Sequence, residues 1–381
     1  MSLLRRMLPL PALLAPAAVS PGAAAQADSA AARVELVAVQ ADSPAARADA
    51  PAVLAGRVIP ADGGDARGLR VFARAGAFAD SAGVDSLGRF SLPLPAELAA
   101  DTVELAVDAA DPAARAFHPA VVRLGREQVG AEHEIVLLPL RWTVRGGRYA
   151  GQEVEVRLAR AFERACERCS SFYRRATERA GPGRTALQAW PEERFPLRVA
   201  FDREWSGERV SARDSAAFWR HADELEEVFG ADVFRPAVYG DALPSDDGGP
   251  HDVILVWIDP EMHRESGLGS AVAFGGEIEY GDLRLGRGSL ASPDAAEGLV
   301  PHELMHTLGF GHTCAWRSVL ADVRRCPGRR APTATPEDVA YVQLAARLRA
   351  LQRERRARWA IEAALAGARL LADGARGLVL R

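Results

Sequence analysis

The sequence of 381 residues contains no lysine and no asparagine, and it holds only 8 histidines and 4 cysteines. Because asparagine is absent, the chain offers no acceptor for N-linked glycosylation. The 47 basic residues, all arginine, nearly balance 51 acidic ones, and a net charge of -4 gives no reason to expect nucleic acid or an anionic membrane as a partner. With 48% hydrophobic and 26% charged residues, the composition is typical of a soluble globular protein, and the length favours two domains with tails.

Long apolar runs are also scarce, and the clearest one lies in residues 1–27. Arg5 and Arg6 precede an apolar stretch from Met7 to Val19, and the small residues AAAQA close the segment, which is the pattern of a signal peptide. The stretch is shorter than the roughly 20 apolar residues that a membrane span needs, so we expect no transmembrane segment. The sequence therefore predicts export to a secreted or periplasmic (extracytoplasmic) location after removal of this peptide.

The four cysteines are Cys166, Cys169, Cys314 and Cys326. In an exported protein they are expected to form two disulfides, for which three connectivities exist on sequence grounds. We favour a bridge from Cys314 to Cys326, and we expect Cys166 and Cys169 to form a local bridge or a redox pair. A structural zinc site with four cysteine ligands is the alternative.

Residues 28–51 and residues 52–142 have different patterns. The first segment is rich in alanine, aspartate and proline with little periodicity, which predicts a flexible linker. The second contains short alternating runs separated by glycine or aspartate, at the spacing of an antiparallel β-sandwich. Its GRV at 56–58 and GRF at 88–90 resemble the carboxypeptidase regulatory-like, prealbumin-type domains found beside many secreted enzymes. The resemblance implies an accessory domain without catalytic residues.

From residue 149 to residue 350 the pattern becomes a mixture of helices and strands. Apolar residues recur at helical spacing in RLARAFERACERCSSFYRRATERA and in ARDSAAFWRHADELEEVFG, which predicts two amphipathic helices. FPLRVAFD and HDVILVWID are short apolar runs with polar ends and are expected to be buried strands. SAVAFGGEIEYGDLRL is expected to form a glycine-broken hairpin or edge strand. We therefore predict an α+β domain.

The stretch HELMHTLGFGH brings three of the 8 histidines close together. His302 and His306 are four residues apart, so on a helix both imidazoles lie on one face and can bind a single ion. Glu303 lies beside them, where its carboxylate can hold a water molecule without being a ligand. Gly309 permits a sharp turn, because glycine tolerates left-handed backbone angles, and the turn would return His312 as a third ligand. Three neutral imidazoles and a water form the donor set of an open, catalytic zinc site.

This stretch matches HExxHxxGxxH, and it resembles the metzincin clan of zinc metalloproteases. Such a match arises by chance in roughly one of a hundred thousand chains of this composition, so incidental histidines are a poor explanation. The resemblance implies a zincin-like (metzincin) α+β catalytic domain over residues 149–350, one catalytic Zn2+ ion, and endopeptidase activity with Glu303 as general base. In metzincins a methionine lies in a tight turn beneath the metal. Leu320 occupies the matching position, and exchange of leucine and methionine is among the mildest core substitutions.

The family resemblance also implies roles for other segments. The edge strand in SAVAFGGEIEYG would lie above the metal and pair with an extended substrate by strand addition, whereas an ordinary protected hairpin is the alternative. Control of the enzyme by a cysteine switch is not expected, because no cysteine precedes Cys166. Docking of the β-sandwich domain on the catalytic domain is an intramolecular contact to be tested.

Local signals delimit the helices near the motif and after it. Gly298 and Pro301 predict that the histidine helix is short or bent at its start. Thr335 as N-cap, Pro336 at the first helical position and Asp338 at the third predict a new helix, which would pack on the catalytic domain as the last metzincin helix does. Residues 351–381 are expected to form a helical C-terminal tail.

Two classes of function are compatible with the sequence. The first is a secreted zinc endopeptidase that acts on protein or peptide substrates. The second is a secreted or surface binding protein whose zinc site is structural or inactive. Glu303 favours the enzyme, because a structural site does not use a carboxylate that is not a ligand. The remaining polar candidates have no ligand spacing and are expected to be structural, surface or solvated-turn residues, with calcium binding as the alternative for the acidic loop: His221, His251, His263 and the Asp246-Asp247 loop.

Overall fold

The structure is a computed structural model, and it describes most of the chain between residues 52 and 353. The described ranges are 52–95, 101–111, 115–157, 188–201, 210–238, 253–263, 266–274, 277–291, 296–313, 318–321 and 330–353. The expected signal peptide, the linker and the tail beyond residue 353 lie outside these ranges, as does all but the first residue of the predicted helix RLARAFERACERCSSFYRRATERA.

Two facing sheets form the β-sandwich predicted for residues 52–142. One sheet has the order β4-β1-β7, and the other has the order β3-β2-β5-β6. Alternate side chains, among them Leu54, Val71 and Leu105, form one apolar core. The strands are β1 (Val53–Pro60), β2 (Leu69–Ala75), β3 (Phe78–Gly83), β4 (Arg89–Pro93), β5 (Thr102–Ala109), β6 (Ala120–Gly125) and β7 (Glu132–Leu137).

Strand β7 differs from the sequence-based expectation in two ways. It pairs with β1 in parallel, so the sandwich is not purely antiparallel. Its apolar run does not alternate either, because both of its faces are buried. Ile135 and Leu137 lie in the sandwich core. Val136 and the following Leu138 belong to a second apolar core, which is formed mainly by the C-terminal part of the chain. A continuous apolar run is the pattern of a strand that is covered on both sides.

A third sheet lies in the C-terminal part, with the order β11-β10-β12-β14-β13. Its first four strands in this order are parallel, and the edge strand β13 runs antiparallel to β14. The predicted buried strands and the predicted glycine-containing hairpin are therefore confirmed. The strands are β10 (Leu197–Phe201), β11 (Phe234–Pro236), β12 (Val253–Asp259), β13 (Gly267–Phe274) and β14 (Glu277–Gly286), and the hairpin β8 (Arg141–Thr143) and β9 (Glu153–Glu155) precedes them.

The described residues include three α-helices, and their ends follow from local sequence. Helix α1 begins after Ser211, whose side chain accepts a hydrogen bond from the Asp214 N–H, and it ends at Gly230 with a φ of 69°. At the start of α3, the Asp338 carboxylate and Thr335 form the predicted reciprocal capping bonds. The helices are α1 (Ala212–Phe229), α2 (Leu299–Thr307) and α3 (Pro336–Arg353).

Helix α3 is joined by hydrogen bonds to the β8–β9 hairpin and to the residue that follows strand β1 of the sandwich. Gln343 Oε1 accepts from Trp142 Nε1 at 3.1 Å and from the Arg145 N–H at 2.9 Å. Farther along the helix, Arg347 Nε donates to the Ala61 carbonyl oxygen at 3.1 Å. Because Ala61 and Val136 of the sandwich also belong to the second apolar core, the sandwich and the C-terminal part share buried surface instead of being linked only by the chain.

The architecture is therefore mixed α and β, with several sheets and three helices in the described part of the chain. No helix among the described residues combines the length and the apolar character that crossing a membrane requires.

Candidate metal centre

Helix α2 carries two of the clustered histidines and has the short start that the sequence predicts. Gly298 precedes it with a φ of 69°, a left-handed conformation that glycine adopts without steric cost. Pro301 lies at the third helical position, where its missing N–H costs little because the first-turn N–H groups have no partner within the helix. All 9 residues of α2 are buried, so its polar side chains need partners inside the protein.

The chain turns sharply after α2 at Gly309, whose φ is 96°. A Cβ at this position would lie 2.9 Å from Ile278 Cδ1 and 3.0 Å from the Gln188 carbonyl oxygen, so the backbone angle and the space both favour glycine. The indole N–H of Trp190 donates to the Thr307 carbonyl oxygen at 2.8 Å and so satisfies one of the last carbonyl groups of the helix. This turn returns the third histidine to the other two.

The structure brings His302, His306 and His312 together around one point. The Nε2 atoms of His302 and His306 are 3.1 Å apart, and those of His306 and His312 are 3.2 Å apart. Two nitrogen ligands of a tetrahedral zinc ion are separated by roughly 3.3 Å, given Zn–N distances of about 2.0–2.1 Å. The group could therefore hold a metal ion. His302 and His306 are buried and His312 is half-buried, so His312 is the most exposed member of the cluster.

Backbone carbonyl groups fix the orientation of two of the imidazole rings. His302 Nδ1 lies 2.6 Å from the Val319 carbonyl oxygen, and His306 Nδ1 lies 2.6 Å from the Phe310 carbonyl oxygen. Because a carbonyl oxygen only accepts, each Nδ1 carries the proton in a neutral ring and each Nε2 presents a lone pair. Two lone pairs that face each other at 3.1 Å repel, and a cation between them removes the repulsion. Carbonyl groups orient metal-binding histidines in this way in many proteins.

The protonation of His302 also suits a metal ligand. Burial lowers the pKa of His302 well below its usual value, and the neighbouring His306 and the charge of Arg330 act in the same direction. The hydrogen bond to Val319 opposes this lowering of the pKa but is smaller than the burial effect. The His302 ring is therefore neutral at neutral pH, as coordination requires.

Leu320 lies in a tight turn that contacts His302 through its backbone. The turn closes with a hydrogen bond from the Ala321 N–H to the Ser318 carbonyl oxygen at 3.1 Å. Leu320 is fully buried in the second core, and the carbonyl group that accepts from His302 belongs to its neighbour, Val319. The turn thus lies next to His302, the first ligand candidate.

Asp338 fixes this turn from the first turn of helix α3. Its buried carboxylate accepts from Ser318 Oγ at 2.7 Å and from the Val319 N–H at 3.2 Å. It also accepts from the Thr335 N–H at 2.9 Å and from Thr335 Oγ1 at 2.7 Å. One carboxylate therefore caps α3 and positions the carbonyl group that orients His302.

Replacement of Asp338 by alanine is expected to lower the free energy of unfolding by about 2–4 kcal/mol, because several buried donors lose their acceptor. Metal affinity is expected to fall by about tenfold to a hundredfold, since the carbonyl group that orients His302 is no longer fixed. Urea unfolding and competition with a chromophoric chelator measure the two effects. Asp232→Ala, which removes an exposed carboxylate, is the control, and equal behaviour of the two variants contradicts this role of Asp338.

Glu303 is only 4% exposed and lies next to His302 on α2. Its Oε2 accepts a hydrogen bond from the Gly269 N–H on strand β13 at 2.5 Å. The converging ligand group consists of the three histidines alone, so the structure places a buried carboxylate beside the cluster and outside its ligand set.

The other candidates from the sequence do not join the cluster. His221 is buried on α1 with its Nδ1 at 3.6 Å from Glu224 Oε2, and His263 is exposed. Among the described residues, the three histidines form the one group of converging histidine, cysteine or acidic side chains suited to a metal. Several candidates lie outside the described residues: Cys166, Cys169, Cys314, Cys326, His251, Asp246 and Asp247.

Sequence reasoning missed several residues that shape the site. Val319 and Phe310 act through backbone carbonyl groups, which carry no side-chain signal. For Asp338, the capping pattern of the sequence predicts a helix cap and no contact with the turn at Val319. Gly267 and Gly269 belong to β13 and contact Glu303, but the sequence offers only a repeated glycine at this point.

Comparison of the chain with models of protein families, with curated proteins and with solved structures finds no match. The geometry of the histidine cluster and its neighbours is therefore the basis for a functional proposal.

Proposed function

We propose that the protein is a secreted zinc-dependent endopeptidase that hydrolyses bonds in protein or peptide substrates. The observation that carries this proposal is the convergence of three imidazole Nε2 atoms beside Glu303, a buried carboxylate outside the ligand group. Three neutral imidazoles that leave one coordination position open are the donor set of catalytic zinc sites. A structural zinc site normally has four protein ligands and no need for such a carboxylate.

Similarity to the metzincin clan supports the proposal beyond the motif itself. The sheet has an antiparallel edge strand, β13, that packs against the histidine helix, and a tight turn with Leu320 lies next to His302. A further helix, α3, holds this turn through Asp338. These features agree with a zincin-like catalytic domain in residues 149–350, with the β-sandwich as an accessory domain.

The mechanism follows from the roles of the side chains. The three histidines would hold the zinc ion, which would supply the Lewis acidity that makes water more acidic and polarises the carbonyl group of the scissile bond. Glu303 accepts the proton of the attacking water as the new carbon–oxygen bond forms. It then donates this proton to the nitrogen of the leaving amine as the carbon–nitrogen bond breaks. No oxidant or other co-reactant is needed.

The edge strand gives a means of holding the substrate. Strand β13 pairs with β14 on one side, and no strand among the described residues pairs with its other side. An extended peptide can add to such an edge through backbone hydrogen bonds, which bind many sequences with little side-chain selectivity. This mode of binding favours cleavage within a chain, because it requires no group that grips a free terminus.

The proposal is tested by hydrolysis of a denatured protein by the chain without residues 1–27. Chelation is expected to abolish cleavage, and one equivalent of zinc is expected to restore it, because the histidine cluster holds one ion. Zinc content and cleavage are measured on the same samples. A chain that binds one zinc ion tightly but cleaves no denatured protein would instead be a binding protein with an inactive or structural site.

A further inference from the structure

Strand β13 approaches helix α2 closely because two of its residues that face the helix are glycines. Gly267 and Gly269 lie opposite Leu285 and Leu283, which are core-facing residues of β14. A Cβ on Gly269 would lie only 2.1 Å from the Glu303 carbonyl oxygen, so any side chain here would push the strand and the helix apart. Neither glycine has a positive φ, so glycine is favoured here by the lack of space for a side chain and not by the backbone angle.

Gly267 leaves the space that the Glu303 side chain occupies. A Cβ on Gly267 would lie 2.6 Å from Cγ, 2.8 Å from Cδ and 2.7 Å from Oε1 of Glu303. All three atoms belong to the side chain, so a methyl group here would displace the carboxylate and leave the helix backbone in place.

Gly269 fixes the other oxygen of the same carboxylate. Its N–H donates to Glu303 Oε2 at 2.5 Å, while Oε1 lies over Gly267. The Gly269 N–H thus holds one oxygen of the carboxylate. The other oxygen lies close against Gly267, which leaves room for it because glycine has no side chain. At 4% exposure, Glu303 has little solvent to compete for these contacts.

We propose that Gly267 and Gly269 are positioning residues for the general base, and that strand β13 sets the orientation of the Glu303 carboxylate. This inference rests on the proposed function, because it explains how Glu303, the general base of the proposed reaction, is oriented. A general base must lie within hydrogen-bond reach of the proton it takes, and a misplacement of about 1 Å can lower the rate by about a hundredfold.

Gly267→Ala is the decisive variant. It is expected to lower kcat by about a hundredfold while KM changes little, because the added methyl group displaces the carboxylate. Zinc affinity is expected to stay within about threefold of the wild-type value, because the three atoms nearest to the added methyl group all belong to Glu303 and not to a histidine. Unchanged kcat, or a loss seen only in KM, overturns the inference.

Gly281→Ala is the matched control on the same sheet. Its added Cβ would meet Thr307 Cβ at 2.9 Å and Ile254 Cγ1 at 3.1 Å, so it crowds the same helix at Thr307 and its nearest atoms do not belong to Glu303. It is expected to lower thermal stability while the kcat of the folded protein remains near the wild-type value. If Gly281→Ala loses as much kcat as Gly267→Ala, crowding of the helix explains both results and the positioning role is rejected.

A second measurement does not depend on proteolysis. Acetohydroxamate binds a metal ion and can donate a hydrogen bond to a neighbouring carboxylate, so its affinity for the Co2+-loaded protein, followed by visible absorption, reports the position of Glu303. Gly267→Ala and Glu303→Gln are expected to weaken this binding, and Gly281→Ala is expected to leave it unchanged. If the wild type cleaves nothing, the proposed function fails, but this readout still decides the positioning role. Equal affinity of wild type and Gly267→Ala rejects it.

A double variant covers the case in which Gly267→Ala does not fold. Glu303→Asp shortens the side chain and makes room for the methyl group, so adding Gly267→Ala to it is expected to cost less than about tenfold in kcat or in acetohydroxamate affinity. A loss of about a hundredfold or more on adding Gly267→Ala to Glu303→Asp overturns the inference, because the methyl group would then act without displacing the carboxylate.

Discussion

Glu303→Gln is expected to lower kcat/KM by about 10²- to 10⁴-fold, which is the usual contribution of a general base. Glutamine has nearly the same shape, and its amide oxygen can still accept from the Gly269 N–H, but it does not take up a proton at neutral pH. Zinc binding is expected to persist, because the variant keeps all three histidines. Cleavage of a quenched-fluorescence peptide and zinc content per chain measure the two properties.

The exposed carboxylate of Glu261 provides the matched control. Glu261→Gln is expected to cleave at the wild-type rate. A Glu303→Gln variant that remains fully active, or one that loses zinc together with activity, contradicts the assignment of Glu303 as a base that is not a ligand.

His312→Ala is expected to weaken zinc binding by more than about a hundredfold and to abolish cleavage. The reason is that one of three ligands is lost from a site whose total binding energy, in comparable zinc sites, amounts to about 10 kcal/mol or more. His312 is half-buried, so its removal should disturb folding less than removal of His302 or His306. Competition against a chromophoric chelator gives the affinity.

Thermal unfolding adds an independent measurement. If zinc binds as proposed, a concentration of a hundred times its dissociation constant is expected to stabilise the wild type by about 2.7 kcal/mol, and His312→Ala should lose nearly all of this gain at the same zinc concentration. His263→Ala, which removes an exposed histidine outside the cluster, should keep it. A His312→Ala variant that binds zinc as tightly as the wild type shows that this histidine is not a ligand.

The parts of the site that the sequence predicts depend on local geometry. Spacing of four residues places His302 and His306 on one helix face, and glycine at position 309 allows the turn that returns His312. The short start of α2 follows from Gly298 in the same way. These features depend on the backbone preferences of a few neighbouring residues, so they can be derived before the fold is known.

The supports of the site depend on contacts between distant segments. His302 is oriented by a carbonyl group at position 319, and that group is positioned by Asp338 on another helix. The glycines of β13 reach Glu303 only because the hairpin packs across α2. Nothing in the local pattern of Gly267 or Asp338 distinguishes these contacts from an ordinary strand glycine or an ordinary helix cap.

The same distinction applies to the sandwich. Its alternating strands follow from the period of two in the sequence, whereas the parallel pairing of β7 with β1 follows from which segment closes the sheet. The unbroken apolar run in β7 indicates that a second apolar core covers the other face of this strand.

The contact between the sandwich and α3 limits how far the two parts can be treated as exchangeable modules. Arg347 binds the sandwich at Ala61, Gln343 binds the β8–β9 hairpin, and Asp338, on the same helix, holds the turn that orients His302. Recombination that replaced the sandwich with another accessory domain would remove partners from the helix that shapes the metal centre. The two parts are therefore expected to change together in evolution, even though the histidines themselves lie in only one of them.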